Sequence, residues 1–252
     1  MPPTTGLLDH PYLLNRDAYE EALMTNAPAT TWIRVGLFAL PIFGVLTAWA
    51  TIGAQPDAAV DAQEWARFVS SPSYLASHVL GSTGGTILAI FGTMALGASL
   101  ASSRSPRLGL AAMVIATLGQ TLLLAGGAVS TFALPAMGQA YLRGVEEVAT
   151  MPFPTAMSIF VLGGMLLALI GNVLLGIAVW RSGTLPRWAG ALWAAAWVVF
   201  VVLGAALGMA TTGASLPTQP IGAGLMAISG AWIALAAMRR PAVVSEPQPS
   251  PV

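Results

Sequence analysis

Six stretches of the chain are almost uninterruptedly apolar and long enough to cross a bilayer, which takes about 20 mostly apolar residues. None of them contains Asp or Glu, and Arg34, at the start of the first, is their one arginine. The pattern predicts an all-α integral membrane protein with six transmembrane helices. The predicted spans are Trp32–Ile52, Tyr74–Leu100, Leu108–Phe132, Thr155–Trp180, Trp188–Met209 and Ile221–Met238.

Charged residues are distributed unevenly between the ends of these spans. Arginines occupy the loops after spans two, four and six and the start of span one, whereas the remaining loops are acidic or uncharged overall. Because short cytoplasmic loops are enriched in Lys and Arg, the asymmetry predicts that both termini are cytoplasmic. The residues on the predicted cytoplasmic side are Arg34, Arg104, Arg107, Arg181, Arg187, Arg239 and Arg240, and the outer acidic residues are Asp57, Asp61, Glu64, Glu146 and Glu147.

Three segments flank or interrupt the membrane domain, which we assign to residues 32–240. Residues 1–31 are predicted to be a cytoplasmic segment in which Asp17–Glu20 begins a short interfacial helix, and no cleavable signal peptide is expected. At about 57–69, Asp57 and the spacing of Trp65 and Val69 predict a capped amphipathic helix on the outer surface. That helix is either a lid over a cavity or a cover for the loop. Residues 241–252 are rich in proline and are predicted to be a disordered cytoplasmic tail.

The second and fourth spans resemble each other. Gly84–Gly97 aligns without gaps on Gly163–Gly176, with four glycines, two leucines and one alanine in common, and a Pro-Arg pair follows both spans. Since both hairpins enter from the outside, we predict that spans 2–3 and 4–5 form a parallel repeat related by an axis along the membrane normal. The repeat would form a four-helix core, to which spans one and six are added.

The glycines of the spans are predicted to pack helices together, because association in lipid relies on close contact across small residues. Gly81 and Gly85 form one GxxxG pair, and Gly204 and Gly208 form another. Pro41 predicts a kink in span one. The other predicted packing residues are Gly92, Gly97, Gly163, Gly164, Gly171 and Gly176.

Composition narrows the chemistry that the chain can perform. Only 8% of its 252 residues are charged, the net charge is zero, and there is neither lysine nor cysteine. Schiff-base and thiolate chemistry are therefore excluded, and a neutral chain does not favour nucleic acid as a partner. Its two histidines, His10 and His78, do not provide a paired ligand set. We expect no metal ion and no cofactor, and we predict that the protein is not an enzyme.

Neutral polar residues lie deep in the spans. Thr93 and Asn172 occupy matching positions of the repeat, and Gln120 lies at a similar depth. These three residues either join helices by hydrogen bonds or form a polar ligand site. His78, near the outer end of span two, is either a hydrogen-bonded interfacial histidine or a ligand-binding or pH-sensing residue. Thr93, Gln120, Asn172 and His78 are therefore the candidate ligand-binding residues.

The spans contain no carboxylate for proton transfer, which argues against a proton-coupled pump. The sequence therefore predicts a non-catalytic, multi-pass protein of the cell membrane. In this interpretation it is an accessory or scaffold subunit that contacts the lipid bilayer and other membrane subunits or itself. The alternative is a transporter or permease component for an uncharged or lipophilic solute bound between the repeated helix pairs. A third reading is an enzyme that acts on lipid at the outer face through His78 and the loop carboxylates.

Two short motifs resemble those of other membrane proteins. Ser77–Gly81 leads into a glycine-rich span, and Phe132–Pro135 follows span three. Together they resemble multi-spanning membrane proteins of high-GC bacteria, whose genomes also favour arginine over lysine. The resemblance implies a bacterial membrane protein and no particular activity.

Overall fold

The computed structural model describes residues 30–53, 55–152, 154–212 and 215–239, and within these ranges all regular secondary structure is helical. Six helices are long and apolar enough to cross a membrane, as the sequence predicts, so the chain is a multi-pass membrane protein. The α-helices are α1 Thr30–Ala50, α2 Ala62–Val69, α3 Pro72–Leu100, α4 Pro106–Leu142, α5 Thr155–Arg181, α6 Arg187–Thr211 and α7 Thr218–Met238. Glu146–Ala149 forms a 3₁₀ turn. The predicted N-terminal helix, His10, Arg240 and the C-terminal tail lie outside the described residues.

The six long helices form a closed ring in which each packs against its neighbours in the chain and α7 returns to α1. Gly44 of α1 lies directly against the backbone of Ala227 in α7, which closes the ring. This arrangement differs from the expected four-helix core with two added spans. Here α1 and α7 are full members of the ring, because their own glycines allow them to pack on each other.

A glycine in close contact with the neighbouring helix is found at all six interfaces of the ring, at five of them against backbone atoms and at α3–α4 against the side chain of Met113. At each one a glycine lies where a Cβ atom would overlap the adjacent helix. These glycines are Gly81 between α3 and α1, Gly97 between α3 and α4, Gly171 between α5 and α4, Gly176 between α5 and α6, Gly204 between α6 and α7, and Gly44 between α1 and α7. Helix packing without a hydrophobic driving force depends on such contacts.

The remaining predicted packing glycines divide into two groups. Gly85 and Gly92 lie against α1, Gly164 lies against α4, and Gly208 is buried in α6. Gly163 differs, because a Cβ atom there would meet no atom within 4 Å. Successive helix residues are rotated by about 100°, so Gly164 occupies the interface and Gly163 does not. The prediction that Gly163 packs against another helix of the chain is therefore wrong.

The ring has two chemically different ends. The basic end carries six arginines, Arg34, Arg104, Arg107, Arg181, Arg187 and Arg239, and the acidic end carries five carboxylates, Asp57, Asp61, Glu64, Glu146 and Glu147, with the two arginines Arg67 and Arg143. At the basic end the Arg104 backbone N–H donates to the carbonyl of Ser182 (3.1 Å), which joins two loops. Nearby, the Arg187 guanidinium lies 5.8 Å and 5.4 Å from the ring centroids of Trp180 and Trp188. Two loops and an aromatic cluster therefore tie this end of the ring together.

Two prolines alter their helices in different ways. One turn before Pro41 the α-helical pattern of α1 is interrupted, and the Leu40 N–H donates to the carbonyl of Leu37 three residues earlier (3.1 Å). Pro135, in contrast, does not end α4, which continues to Leu142 rather than stopping near Phe132. The π-helical segment Val129–Ala133 ends two residues before this proline and shifts the hydrogen-bond register, which lets the chain remain helical.

The extension of α4 supports the short helix α2. With 37 residues, α4 is about 55 Å long, well beyond the hydrocarbon thickness of about 30 Å. Trp65 and Val69 of α2 are buried and cluster with Leu134 and Met137 of the extension. The apolar face of α2 is therefore covered by the protein itself.

The start of α2 lies later than the sequence indicates. The side chain of Asp61, rather than that of Asp57, caps the helix by accepting a hydrogen bond from the Glu64 N–H (2.8 Å). Asp57 accepts from the Ala59 N–H (2.9 Å) and thereby stabilises a separate turn before the helix. Two caps in one segment explain why the helix is shorter than the predicted 57–69.

The basic half of the ring is filled by fully buried side chains. These are, among others, Leu37, Leu96, Leu100, Leu175, Trp193 and Ile233. Large residues from five of the six long helices therefore meet at this end, and the cavities described below lie in the other half.

The glycine contacts predict a stability difference between two alanine substitutions in α5. In Gly171→Ala the new methyl group would overlap the backbone of Ala116, and such overpacking costs about 1–3 kcal/mol. Gly163→Ala, the matched control, adds its methyl group to open space. We expect thermal unfolding in detergent to occur at a clearly lower temperature for Gly171→Ala only. Equal unfolding temperatures for the two variants would contradict the close packing of Gly171 against α4.

Candidate functional site

The acidic half of the ring encloses a cavity of about 230 Å³ to which all six long helices contribute. Most of its lining is apolar or aromatic, and no charged side chain lines it within the described part of the chain. Its polar lining residues are Thr47, Thr51, Ser82, Thr86, Gln120 and Gln219. The cavity therefore presents neutral hydrogen-bonding groups on an apolar surface.

Two polar groups in the cavity wall have unused hydrogen-bonding capacity. Gln120 and Trp197 are each 2% exposed. The Gln120 Nε2 donates to the Thr93 Oγ1 (3.1 Å), but its Oε1 has no partner among the described residues. The indole Nε1–H of Trp197 likewise has none there. A buried polar group without a partner costs about 1–3 kcal/mol, so a bound molecule that pairs with these groups would be stabilised.

An aromatic wall fixes the orientation of Trp197. Its ring stacks on Phe43 of α1, with centroids 6.1 Å apart and planes inclined by 25°. The ring of Phe200 lies edge-on to it at 6.2 Å. All three rings line the cavity. Since they hold the indole between α1 and α6, its Nε1–H is presented in a defined position.

The predicted residues Thr93 and Asn172 have different surroundings from each other. Both are fully buried, and neither lines the described cavities. Thr93 accepts the hydrogen bond from Gln120 and so orients its amide. Asn172 donates from Nδ2 to the carbonyl of Ala168 (2.8 Å) and accepts at Oδ1 from the Trp193 Nε1–H (3.3 Å). The structure thus brings Thr93 and Gln120 together and places Asn172 at the α5–α6 interface.

Trp197 is the site residue that the sequence analysis missed. Tryptophan in membrane helices is enriched at the bilayer interfaces, whereas Trp197 lies ten residues inside α6. A buried indole normally finds a partner for its N–H. The position of Trp197 in the middle of a span could therefore have marked it as a candidate site residue. Sequence alone does not show whether its N–H has a hydrogen-bond partner.

His78 lies outside this cavity, in a neighbouring one of about 350 Å³ toward the acidic end. Its Nδ1 is 3.0 Å from the carbonyl oxygen of Tyr74, so Nδ1 carries the proton and donates. The imidazole also stacks on the Tyr74 ring, with centroids 3.8 Å apart. Both contacts are within α3, and they hold the half-buried His78 at the wall of this outer cavity.

A third cavity, of about 530 Å³, lies beneath α2. Four methionines line it, namely Met137, Met151, Met165 and Met209. Thioether side chains form adaptable apolar surfaces. Gln219, at the start of α7, lines all three cavities, so they adjoin one another from Gln120 to the underside of α2.

Three helices that line the cavities contain π-helical segments. These are His78–Gly84 in α3, Val129–Ala133 in α4 and Val199–Ala206 in α6, all in the acidic half. The first two are joined, because the Thr131 hydroxyl donates to the carbonyl of His78 (3.3 Å) and lies 2.9 Å from the Thr83 hydroxyl. Such segments occur frequently at functional sites, and Ser82 and Val201 within them line the main cavity.

The hydrogen bonds predict opposite roles for two buried amides. Asn172→Leu removes a hydrogen bond within α5, to Ala168, and an interhelical one, from Trp193, and it should lower the thermal stability by at least the roughly 0.6 kcal/mol of one interhelical bond. Gln120→Leu also removes an unpaired carbonyl oxygen from the interior, so its stability should equal or exceed that of the wild type. Thermal unfolding in one detergent compares the two variants directly. If the Gln120→Leu protein were less stable than the Asn172→Leu protein, Gln120 would have a structural role in holding the helices together.

Comparison of this chain with protein-family models, with curated proteins and with solved structures found no match. The cavity and its lining are therefore the observations from which we infer the function.

Proposed function

We propose that this protein binds an uncharged solute in the cavity between its six long helices and acts as a transporter or permease component. The observation that carries the proposal is that two side chains of one cavity wall, Gln120 and Trp197, each have a buried polar atom, Oε1 and Nε1–H respectively, without a partner among the described residues. A purely structural bundle gains nothing from leaving both unpaired, since each costs about 1–3 kcal/mol. This consideration favours solute binding over an accessory or scaffold role.

The proposal includes the orientation of the ring in the cell membrane. We place the basic end in the cytoplasm, with both termini inside, because arginines cluster there and cytoplasmic loops favour basic residues. The three adjoining cavities then lie in the outer half, and His78 and α2 stand at their outer side. In this orientation the solute enters from outside the cell.

The proposed parallel repeat of α3–α4 and α5–α6 has support from the contacts of equivalent glycines. Gly92 of α3 and Gly171 of α5 each lie against the preceding helix of the ring, at Leu40 and Ala116 respectively. Further along, Gly97 and Gly176 each lie against the following helix. Aligned residues thus have corresponding neighbours, as a rotation about the ring axis requires.

Transport further requires that the helices around the solute change position. The π-helical segments of α3, α4 and α6 lie beside the cavity, where a shift between π and α hydrogen-bond patterns would move side chains by one register position. A non-enzymatic role, the lack of a cofactor, and association with other membrane subunits or with itself stay predictions.

The orientation can be tested by single-cysteine labelling, because the chain has no cysteine of its own. Ser102 lies in an exposed loop at the basic end and Thr150 in one at the acidic end. In intact cells a membrane-impermeant maleimide should modify Thr150→Cys and should modify Ser102→Cys only after permeabilisation. The reverse pattern would invert the proposed orientation.

The same approach tests access to the cavity. Ser82 lines both the main cavity and the cavity of His78, so Ser82→Cys should react with the impermeant reagent from outside. The fully buried Leu96 provides the control, and Leu96→Cys should remain unmodified. A transporter should also expose Ser82→Cys to the reagent in inside-out vesicles, at a lower rate. Protection of Ser82→Cys from both sides would contradict the proposal.

A further inference from the structure

Two side chains of the cavity wall, Gln120 and Trp197, each carry a buried polar atom that has no partner among the described residues. The Gln120 Oε1 accepts and the Trp197 Nε1–H donates. Two other hydroxyls of the lining are paired: the Thr51 hydroxyl donates to the carbonyl of Thr47 (2.8 Å), and the Thr86 hydroxyl donates to that of Ser82 (2.6 Å). A ligand that uses both free groups must itself both donate and accept.

Size restricts the body of the ligand. The main cavity has a volume of about 230 Å³, whereas a cavity of about 150 Å³ already accommodates benzene. One six-membered ring with a small substituent therefore fits, and a whole membrane lipid does not. The rings of Phe43, Trp197 and Phe200 supply flat surfaces for such a body, against which a ring packs offset or edge-on.

Charge restricts the ligand further. Within the described chain no charged side chain lines the main cavity. An ion that enters it loses its hydration shell and finds no opposite charge to compensate for that loss. Carboxylates, amines and zwitterions are therefore disfavoured. Water can satisfy both free groups, but it gains nothing from the aromatic walls.

We infer that the cavity takes a neutral molecule of about one ring in size that carries a group able both to donate and to accept a hydrogen bond, as a phenol or a cyclic alcohol does. The inference rests on the proposed function, whose solute it specifies. A hydroxyl is the smallest group with both capacities. It donates to the Gln120 Oε1 and accepts from the Trp197 Nε1–H, while the ring lies against the aromatic side chains.

Three fluorinated probes of equal ring size test separately whether the ligand needs a hydroxyl group and whether it must be uncharged. We would add 4-fluorophenol, 4-fluorotoluene or 4-fluorobenzoate to the full-length protein in lipid nanodiscs and follow the ¹⁹F resonance of the bound probe. Gln120→Leu and the milder Trp197→Phe serve as variants, with thermal unfolding as the check on folding. Partition of the probes into lipid is the same for every variant and is subtracted with empty nanodiscs.

We expect 4-fluorophenol to bind the wild type and each variant to weaken it by up to about tenfold, the effect of one net hydrogen bond. The toluene and the benzoate should bind at least tenfold more weakly than the phenol. Equal binding of the toluene would overturn the hydrogen-bonded class yet leave the cavity as a solute site. Tighter binding of the benzoate would overturn the neutral class.

Two further outcomes separate this inference from the proposed function. If none of the probes binds the wild type while Ser82→Cys is labelled from outside, the ligand class is wrong and the accessible cavity stands. If none binds and Ser82→Cys is also protected, both proposals fail. Binding of the phenol that persists unchanged in the Gln120→Leu and Trp197→Phe variants would place it at another site and overturn the assignment.

Discussion

Close contact between helix backbones at glycine is the interaction on which this structure depends. In lipid the apolar side chains of a helix gain little by leaving the bilayer for a neighbouring helix, so van der Waals contact over small residues has to hold the helices together. The chain meets this requirement at each of the six interfaces of its ring. Because α1 and α7 meet in the same way, the bundle closes and has a defined interior.

A closed ring of six helices creates an interior that side chains must fill, and they fill it unequally. Near the basic end, Trp193, Ile233 and several leucines are fully buried and occupy the space. Toward the acidic end the helices carry smaller residues at the ring centre, such as Gly81, Ser82 and Ala205, and these line the cavity. The location of the cavity follows from residue size, while its chemistry follows from Gln120 and Trp197.

The sequence predicted the six spans and nearly all of the packing glycines, because hydropathy and residue size act locally. It did not predict the length of α4, since the effect of Pro135 depends on the π-helical segment before it. Nor could it distinguish Gln120 from Asn172. Both are buried neutral amides, and only the fold determines that the Oδ1 of Asn172 meets Trp193 while the Oε1 of Gln120, a residue of the cavity wall, has no partner among the described residues. Trp197 was missed for the same reason.

Side-chain hydrogen bonds join some neighbouring helices of the acidic half and not others. At the acidic end α3 is tied to α4 by the hydroxyls of Thr83 and Thr131 and by the Tyr74 hydroxyl, which donates to the carbonyl of Ser130 (3.1 Å). In the same half, α6 is tied to the segment that begins α7, because the Thr218 hydroxyl donates to the carbonyl of Leu203 (2.8 Å). Side-chain hydrogen bonds therefore join two pairs of helices in this half, α3 with α4 and α6 with α7. Between these pairs stand α1 and α5, which contact their neighbours in this half at glycines, Gly81 against Leu46 and Ala50 and Gly164 against Leu123, so the size of the residues at these contacts determines how tightly the mouth is closed.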